Sequence, residues 1–215
     1  MDTLFTSAAS PAPDALIAGE MPRVTTPITL LSGENRTRGA VLGKITVGAG
    51  SGAAAAGNTG NGTIGAITIG ANAKAGVYKA VCIEPATNLG RFVVEDPDGI
   101  IVGSVNAGSA FAGPVGFTIS DGSTDFVAGD AFDITVAAGS GKYKRAVAAA
   151  TDGSQRPVGI LVMDTDASLA DAVTSMFRTG EFNEAALNFG AGHDADSVRA
   201  ALEALQIYLR DVVAA

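Results

Sequence analysis

The stretch Ile45–Gly60, ITVGAGSGAAAAGNTG, constrains this chain more than any other. Gly48, Gly50 and Ala53 fit the G-x-G-x-x-G/A spacing that bares backbone N–H groups to a pyrophosphate. That use requires a helix of about ten residues directly afterwards, with its N-terminal dipole facing the phosphate. Here four alanines are followed by Gly57, Asn58, Gly60, Asn61 and Gly62, a composition that breaks helices. The acidic residue expected about 20 positions further on is also missing, because the first one after the loop is Glu84. The stretch is therefore read as a flexible linker and not as a nucleotide loop.

The segment beyond the linker is β-rich. TIGAITI, VYKAVCIE, RFVVED, IIVGSV, VGFTI and AFDITV follow one another between Thr63 and Val136, separated by turn signals such as Asp96-Pro97-Asp98-Gly99 and Asp121-Gly122. In AFDITV, Phe132, Ile134 and Val136 alternate with Asp133 and Thr135, the pattern of a strand with one face buried. Strands at this spacing predict a small antiparallel sandwich or barrel. It closes on Ala137-Ala138-Gly139-Ser140-Gly141, which echoes the opening Gly48-Ala49-Gly50-Ser51-Gly52. Two matching seams around a self-contained β pattern mark an inserted all-β domain over 48–140, with Gly48, Gly50, Gly52, Gly139 and Gly141 as its hinges.

The flanking segments also read as mainly β. Val24–Leu31 is extended, and Pro27 places it at an edge or bend. Ala40–Val47 is a second strand; KYKRAVAAA and PVGILVMDTDA supply more, joined by the turn Thr151–Ser154. A C-terminal helix is capped by Asp194 or Asp196, and its apolar stripe runs through Val198, Ala201, Leu202, Leu205, Tyr208, Leu209 and Val212. Residues 1–22 combine small residues and prolines with Leu4, Phe5, Leu16, Ile17, Met21 and Pro22, which is too little for a core. They read as an arm, mobile in isolation, that docks in a groove or adds a strand to a partner.

Charge and chemistry exclude several functions. The net charge of −8, without a Lys/Arg cluster, disfavours nucleic acid as a partner. No apolar run reaches the roughly 18 residues of a membrane span, and the first 20 residues lack the basic start of a signal peptide. Cys82 is the only cysteine and His193 the only histidine, so an internal disulfide, a CxxC metal site and a multi-histidine site are out of reach. The acidic groups Asp121, Asp125, Asp130, Asp133 and Glu95, Asp96, Asp98 coincide with Asp-Gly or Gly-Asp turns and do not complete a calcium loop. Glu181 and Glu184 have the composition of a carboxylate pair, but GEFNEAAL reads as a turn and a short helical segment. No catalytic residue, metal ligand or cofactor is assigned, and the chain is not read as an enzyme.

The segments outside the insert resemble the head decoration (capsid-stabilising) proteins of lambda-like tailed bacteriophages. The resemblance rests on VTTPITLLSGENRTRGAVLGKIT (Val24–Thr46), on TDGSQRPVGIL within KYKRAVAAATDGSQRPVGILVMDTDAS, and on TGEFNEAALNFGAGHDADSVRAALEALQIYL ending at Leu209. Short members of that family pass directly from the GKIT strand to the GKY strand, where this chain carries its insert. The insert resembles β modules of other phage structural proteins through NTGNGTIG, DPDG and DGSTDFVAGD.

The resemblance implies a compact β fold with a packed C-terminal helix, in which 1–22 is a capsid-binding arm and 23–47 plus 141–215 form the core. It implies a homotrimer at threefold positions outside an expanded phage head, clamping the major capsid protein, after assembly in the host cytoplasm. The competing reading makes the insert an adhesion or carbohydrate-binding module with a host-surface ligand. That reading requires exposed aromatics, yet Tyr78, Phe92, Phe111, Phe117, Phe126 and Phe132 lie mostly in strand patterns.

Overall fold

The computed structural model describes residues 15–212. Three strands come first: β1 (Thr25–Leu30), β2 (Glu34–Arg36) and β3 (Val41–Lys44). The middle of the chain supplies β4 (Val47–Ala54), β5 (Thr63–Ile64), β6 (Thr68–Ile69), β7 (Gly76–Ala86), β8 (Leu89–Glu95), β9 (Ile101–Asn106), β10 (Ala110–Ala112), β11 (Val115–Ser120) and β12 (Ala131–Ala138). The return consists of β13 (Tyr143–Arg145), β14 (Pro157–Leu161), β15 (Thr165–Ala167), β16 (Ala172–Phe177) and β17 (Gly180–Asn183), then helix α1 (Ala195–Glu203) and β18 (Ile207–Arg210). The molecule is mainly β with one helix near its C-terminal end, as its composition predicts.

A closed barrel forms from β1, β13, β3, β14 and β16 in that order. Neighbouring residues along each strand turn to opposite sides, and both sides are apolar. Leu30, Leu42, Leu161 and Met176 fill the interior, whereas Val41, Ile160 and Phe177 face a second cluster under α1 and the β17–β18 pair. Pro27 lies in a strand paired with β16 along its whole length but meeting β13 only through Leu30 and Tyr143. Just past the end of β16, Val24 N–H donates to Thr179 Oγ1 and its carbonyl accepts from Arg178 N–H, whereas Leu31 N–H donates to the Tyr143 carbonyl on the other side. Alternation therefore turns Pro27 away from β16, so its missing N–H removes no ladder bond.

The middle segment forms two sheets, β4-β12-β7-β8-β9 and a smaller one in which β11 pairs with β10, β5 and β6. Tyr78, Phe92, Phe132 and Ile134 from the first meet Phe111, Val115, Phe117 and Ile119 from the second in one core with Phe126. Phe92 and Phe126 pack edge to face, with centroids 5.0 Å apart.

Helix α1 is capped by Asp194, whose carboxylate accepts from Ser197 N–H at 2.9 Å, while Ser197 Oγ accepts from Asp194 N–H at 2.9 Å. The helix is shorter than its apolar stripe predicts. Gln206 takes a left-handed φ of 62°, and Ile207–Arg210 then form a strand parallel to β17. Ile207 and Leu209 are buried and Tyr208 and Arg210 are not, which is strand alternation. Leu205 and Leu209 match a helical period because a spacing of four keeps residues on one side in a strand as well as in a helix, while Val212 lies beyond the strand and is exposed.

Candidate interaction surfaces

The polar clusters are structural. Asp130 is 3 % exposed and accepts from the backbone N–H groups of Thr59, Gly60 and Val127 at 2.8–3.0 Å. Burial pushes its carboxyl upward, but those three bonds outweigh it and hold the group below the ordinary carboxylate value. Asp96 is lowered first by Lys74, whose ammonium lies 2.6 Å from Asp96 and 2.5 Å from Asp98, and the latter two residues shape the Asp96–Gly99 turn. Among the described residues no group of His, Cys, Asp and Glu side chains could hold a metal ion. His193 Nε2 contacts the Gln155 carbonyl at 2.9 Å, and Ser197 beside it is committed to the helix cap. Burial raises the Cys82 thiol. Glu184 pairs with Arg199 at 2.7 Å and Glu181 with Arg210, so the two carboxylates do not face a common site.

Residues 15–22 are partly built into the body. Leu16 is 4 % exposed and belongs to the cluster of Phe177, Phe182, Val198 and Leu202. Ile17 bridges antiparallel to Phe182; Asn183 N–H donates to the Leu16 carbonyl at 2.9 Å and Ala18 N–H to the Glu181 carbonyl at 3.1 Å. Met21 N–H lies 3.4 Å from the Glu181 carboxylate, and Pro22 is exposed, its carbonyl accepting from Thr179 Oγ1. This corrects the reading of 1–22 as one free arm: Leu16 is a core residue, and strand addition by Ile17 is intramolecular. Leu4 and Phe5 lie outside the described residues.

The family of the bacteriophage lambda head decoration protein D matches residues 6–208. The chain belongs to that family. As a head decoration protein it is a structural virion protein associated with the phage capsid, in a family that is not enzymatic. No curated protein matches it. Two crystal structures of FlgL from Xanthomonas campestris share 21 % and 22 % identity with it over 49 % of this chain, at a TM-score of 0.33. The matched part spans 34 % and 33 % of those FlgL chains.

In this decoration protein the five glycines read as hinges are structural. Gly48, Gly50 and Gly52 lie within β4, which pairs with β12 through Gly50↔Val136 and Gly52↔Ile134. A Cβ on Gly52 would stand 2.8 Å from Ile64 Cγ2, and one on Gly48 would stand 3.1 Å from the Ala138 carbonyl oxygen. A Cβ on Gly139 would stand 2.6 Å from the Ile45 carbonyl oxygen, and Gly141 has a φ of +72° while its N–H donates to that same carbonyl. The seam is a close-packed strand pair, not a flexible link. A separate contact joins the same regions: Gln155 Nε2 donates to the Ala71 carbonyl at 2.6 Å and Arg156 Nη2 to Asn72 Oδ1 at 3.0 Å. All six aromatics between 48 and 140 are buried, so none offers a ring for sugar stacking.

Proposed function

We propose that this decoration protein acts as a homotrimer at threefold positions on the outside of the expanded head, where it clamps neighbouring major capsid proteins. Membership of the lambda head decoration family, matched over 6–208, is the observation that carries the reading. The absence of a metal cluster among the described residues and the commitment of the polar side chains to turns and caps are compatible with a binding role. In this reading residues 48–140 form an inserted domain on the barrel, and residues 1–14, with Leu4 and Phe5, reach the capsid.

Because Leu16 is buried in the body, the capsid-binding segment in this reading is the stretch before it, residues 1–14. Seating Leu4 and Phe5 contributes about 1.5–3 kcal/mol each, against an ordering cost of about 1–2 kcal/mol per residue, so one arm binds weakly. Three arms on one trimer bind tightly through effective concentration. Deleting 1–14 is expected to leave a soluble trimer with unchanged melting that no longer co-sediments with expanded heads. Wild-type occupancy by that truncated chain would move the binding energy to the folded body.

A further inference from the structure

Leu169 is 97 % exposed, more than any other large apolar residue described. Its loop, between β15 and β16, is fastened on both sides. Ser168 N–H donates to Asp166 Oδ1 at 2.9 Å, and Asp171 accepts from Ser32 N–H at 2.9 Å while its carboxylate pairs with Lys142 at 2.5 Å. Val173 is 80 % exposed in the adjoining β16, and the exposed Asp166 stands three residues before Leu169, whereas Asp164, which accepts from Arg38 N–H at 2.7 Å, lies beyond the far end of β15. A leucine held out to water on an anchored loop exposes apolar area with no gain to the monomer.

The opposite end of the same strand pair carries a hollow of about 550 Å³ lined by Val24, Thr26, Arg178, Ala204, Leu205 and Gln206. Its apolar walls include Val24, 54 % exposed, and Leu205, 36 % exposed. Arg178 and the adjacent Arg23 are exposed and have no ion-pair partner among the described residues, while the nearby Glu203 acts on Arg199. The hollow thus carries two arginines and the Leu169 loop the exposed Asp166, opposite charges on a chain whose net charge of −8 otherwise repels its own copies.

The β1–β16 register runs from Leu30↔Ala172 at the loop end to Thr25↔Phe177 at the hollow end. Five residues at about 3.3 Å each separate the two ends, so Leu169 does not reach the hollow of its own chain. A ring of identical copies needs this arrangement: two different, complementary patches on separate faces of one subunit.

We infer that Leu169 of each copy seats in the Val24–Leu205 hollow of the next, with Asp166 facing Arg23 and Arg178. The occupant is a second copy of this chain, and the inference rests on the trimer reading above. It assigns the subunit contact within that trimer.

Sedimentation velocity of the wild-type chain comes first; a monomer would overturn the trimer reading and this inference with it. With a wild-type trimer established, Leu169→Asp is expected to raise the concentration for half-assembly about tenfold or more. Circular dichroism is expected to be unchanged, because the side chain is exposed, and Leu169→Met should keep the trimer. The double variant Leu169→Cys/Leu205→Cys is expected to give covalent trimers on mild oxidation, while neither single variant does; Cys82 is 1 % exposed and does not compete. A trimer that survives Leu169→Asp at wild-type strength, or stays uncross-linked in the double variant, overturns the assigned contact and leaves the trimer reading standing.

Discussion

A Cβ on Gly50 would stand 2.6 Å from Ile67 Cγ2 and 3.0 Å from Ile69 Cδ1, closer than side chains pack. The strand β4 is bare on this side because Ile64, Ile67 and Ile69 lie directly on it. Gly50→Val is therefore expected to destabilise the protein by about 1–3 kcal/mol through overpacking. Ser51→Val, on the exposed side of the same strand, should stay within about 0.5 kcal/mol of wild type. Denaturant titration of the two variants checks this. Equal stability of both would restore the flexible-linker reading of Gly48–Gly52.

Leu16 supplies the second test. Truncating this buried leucine opens a cavity beside Phe182 and Leu202, and Leu16→Ala is expected to cost about 2–5 kcal/mol. Pro22→Ala, at an exposed position, should change stability by no more than about 0.5 kcal/mol. Loss at both positions, or at neither, in thermal and denaturant unfolding would contradict the placement of the arm root.

Much of this architecture was legible because its signals are local. The Asp194–Ser197 cap and the opposed burial of Val41 and Leu42 or of Ile160 and Leu161 follow from side-chain type and a short period. The alternation of glycine at 48, 50 and 52 with Ala49 and Ser51 also carried a strand signal, one face stripped for close approach. It was read as flexibility because glycine content outweighed its period. Leu16 was illegible as core because its partners Phe182 and Leu202 lie far along the chain. The Leu169 loop and the Arg178 hollow come together only as opposite ends of one strand pair, a relation of register that spacing in sequence does not encode.

Asp130 makes stability depend on acid. Its folded-state pKa lies below the ordinary 3.8, so its contribution is complete above that value and is lost as pH falls through the lowered one. Asp130→Asn puts an amide NH₂ against backbone donors and is expected to cost about 1–3 kcal/mol at neutral pH. The gap between wild type and variant should stay constant from pH 7 to about 5, begin to narrow near pH 4 and close only below the lowered pKa. Melting temperatures across that range measure it, and a gap that widened on acidification would reverse the assigned direction.

The proposed inserted domain supplies the last test. The chain enters at Thr46 and returns at Gly139, where Gly139 N–H donates to the Thr46 carbonyl at 3.0 Å, so the two ends already meet. Neither apolar cluster of the barrel region includes a residue between 47 and 141. Excision removes the partners of Gln155 and Arg156, but those side-chain bonds are exposed and water replaces them. Closing the gap with a short Gly/Ser link also shortens the loop the barrel must close, which lowers the entropic cost slightly. A chain with Val47–Ala138 replaced in this way should fold, show the circular dichroism of a small β barrel with one helix, assemble as the full chain does and occupy expanded heads. An insoluble or unfolded product would mean that the β4–β12 pair and the Ala71–Asn72 contact hold the barrel together, and that the insert is part of one core.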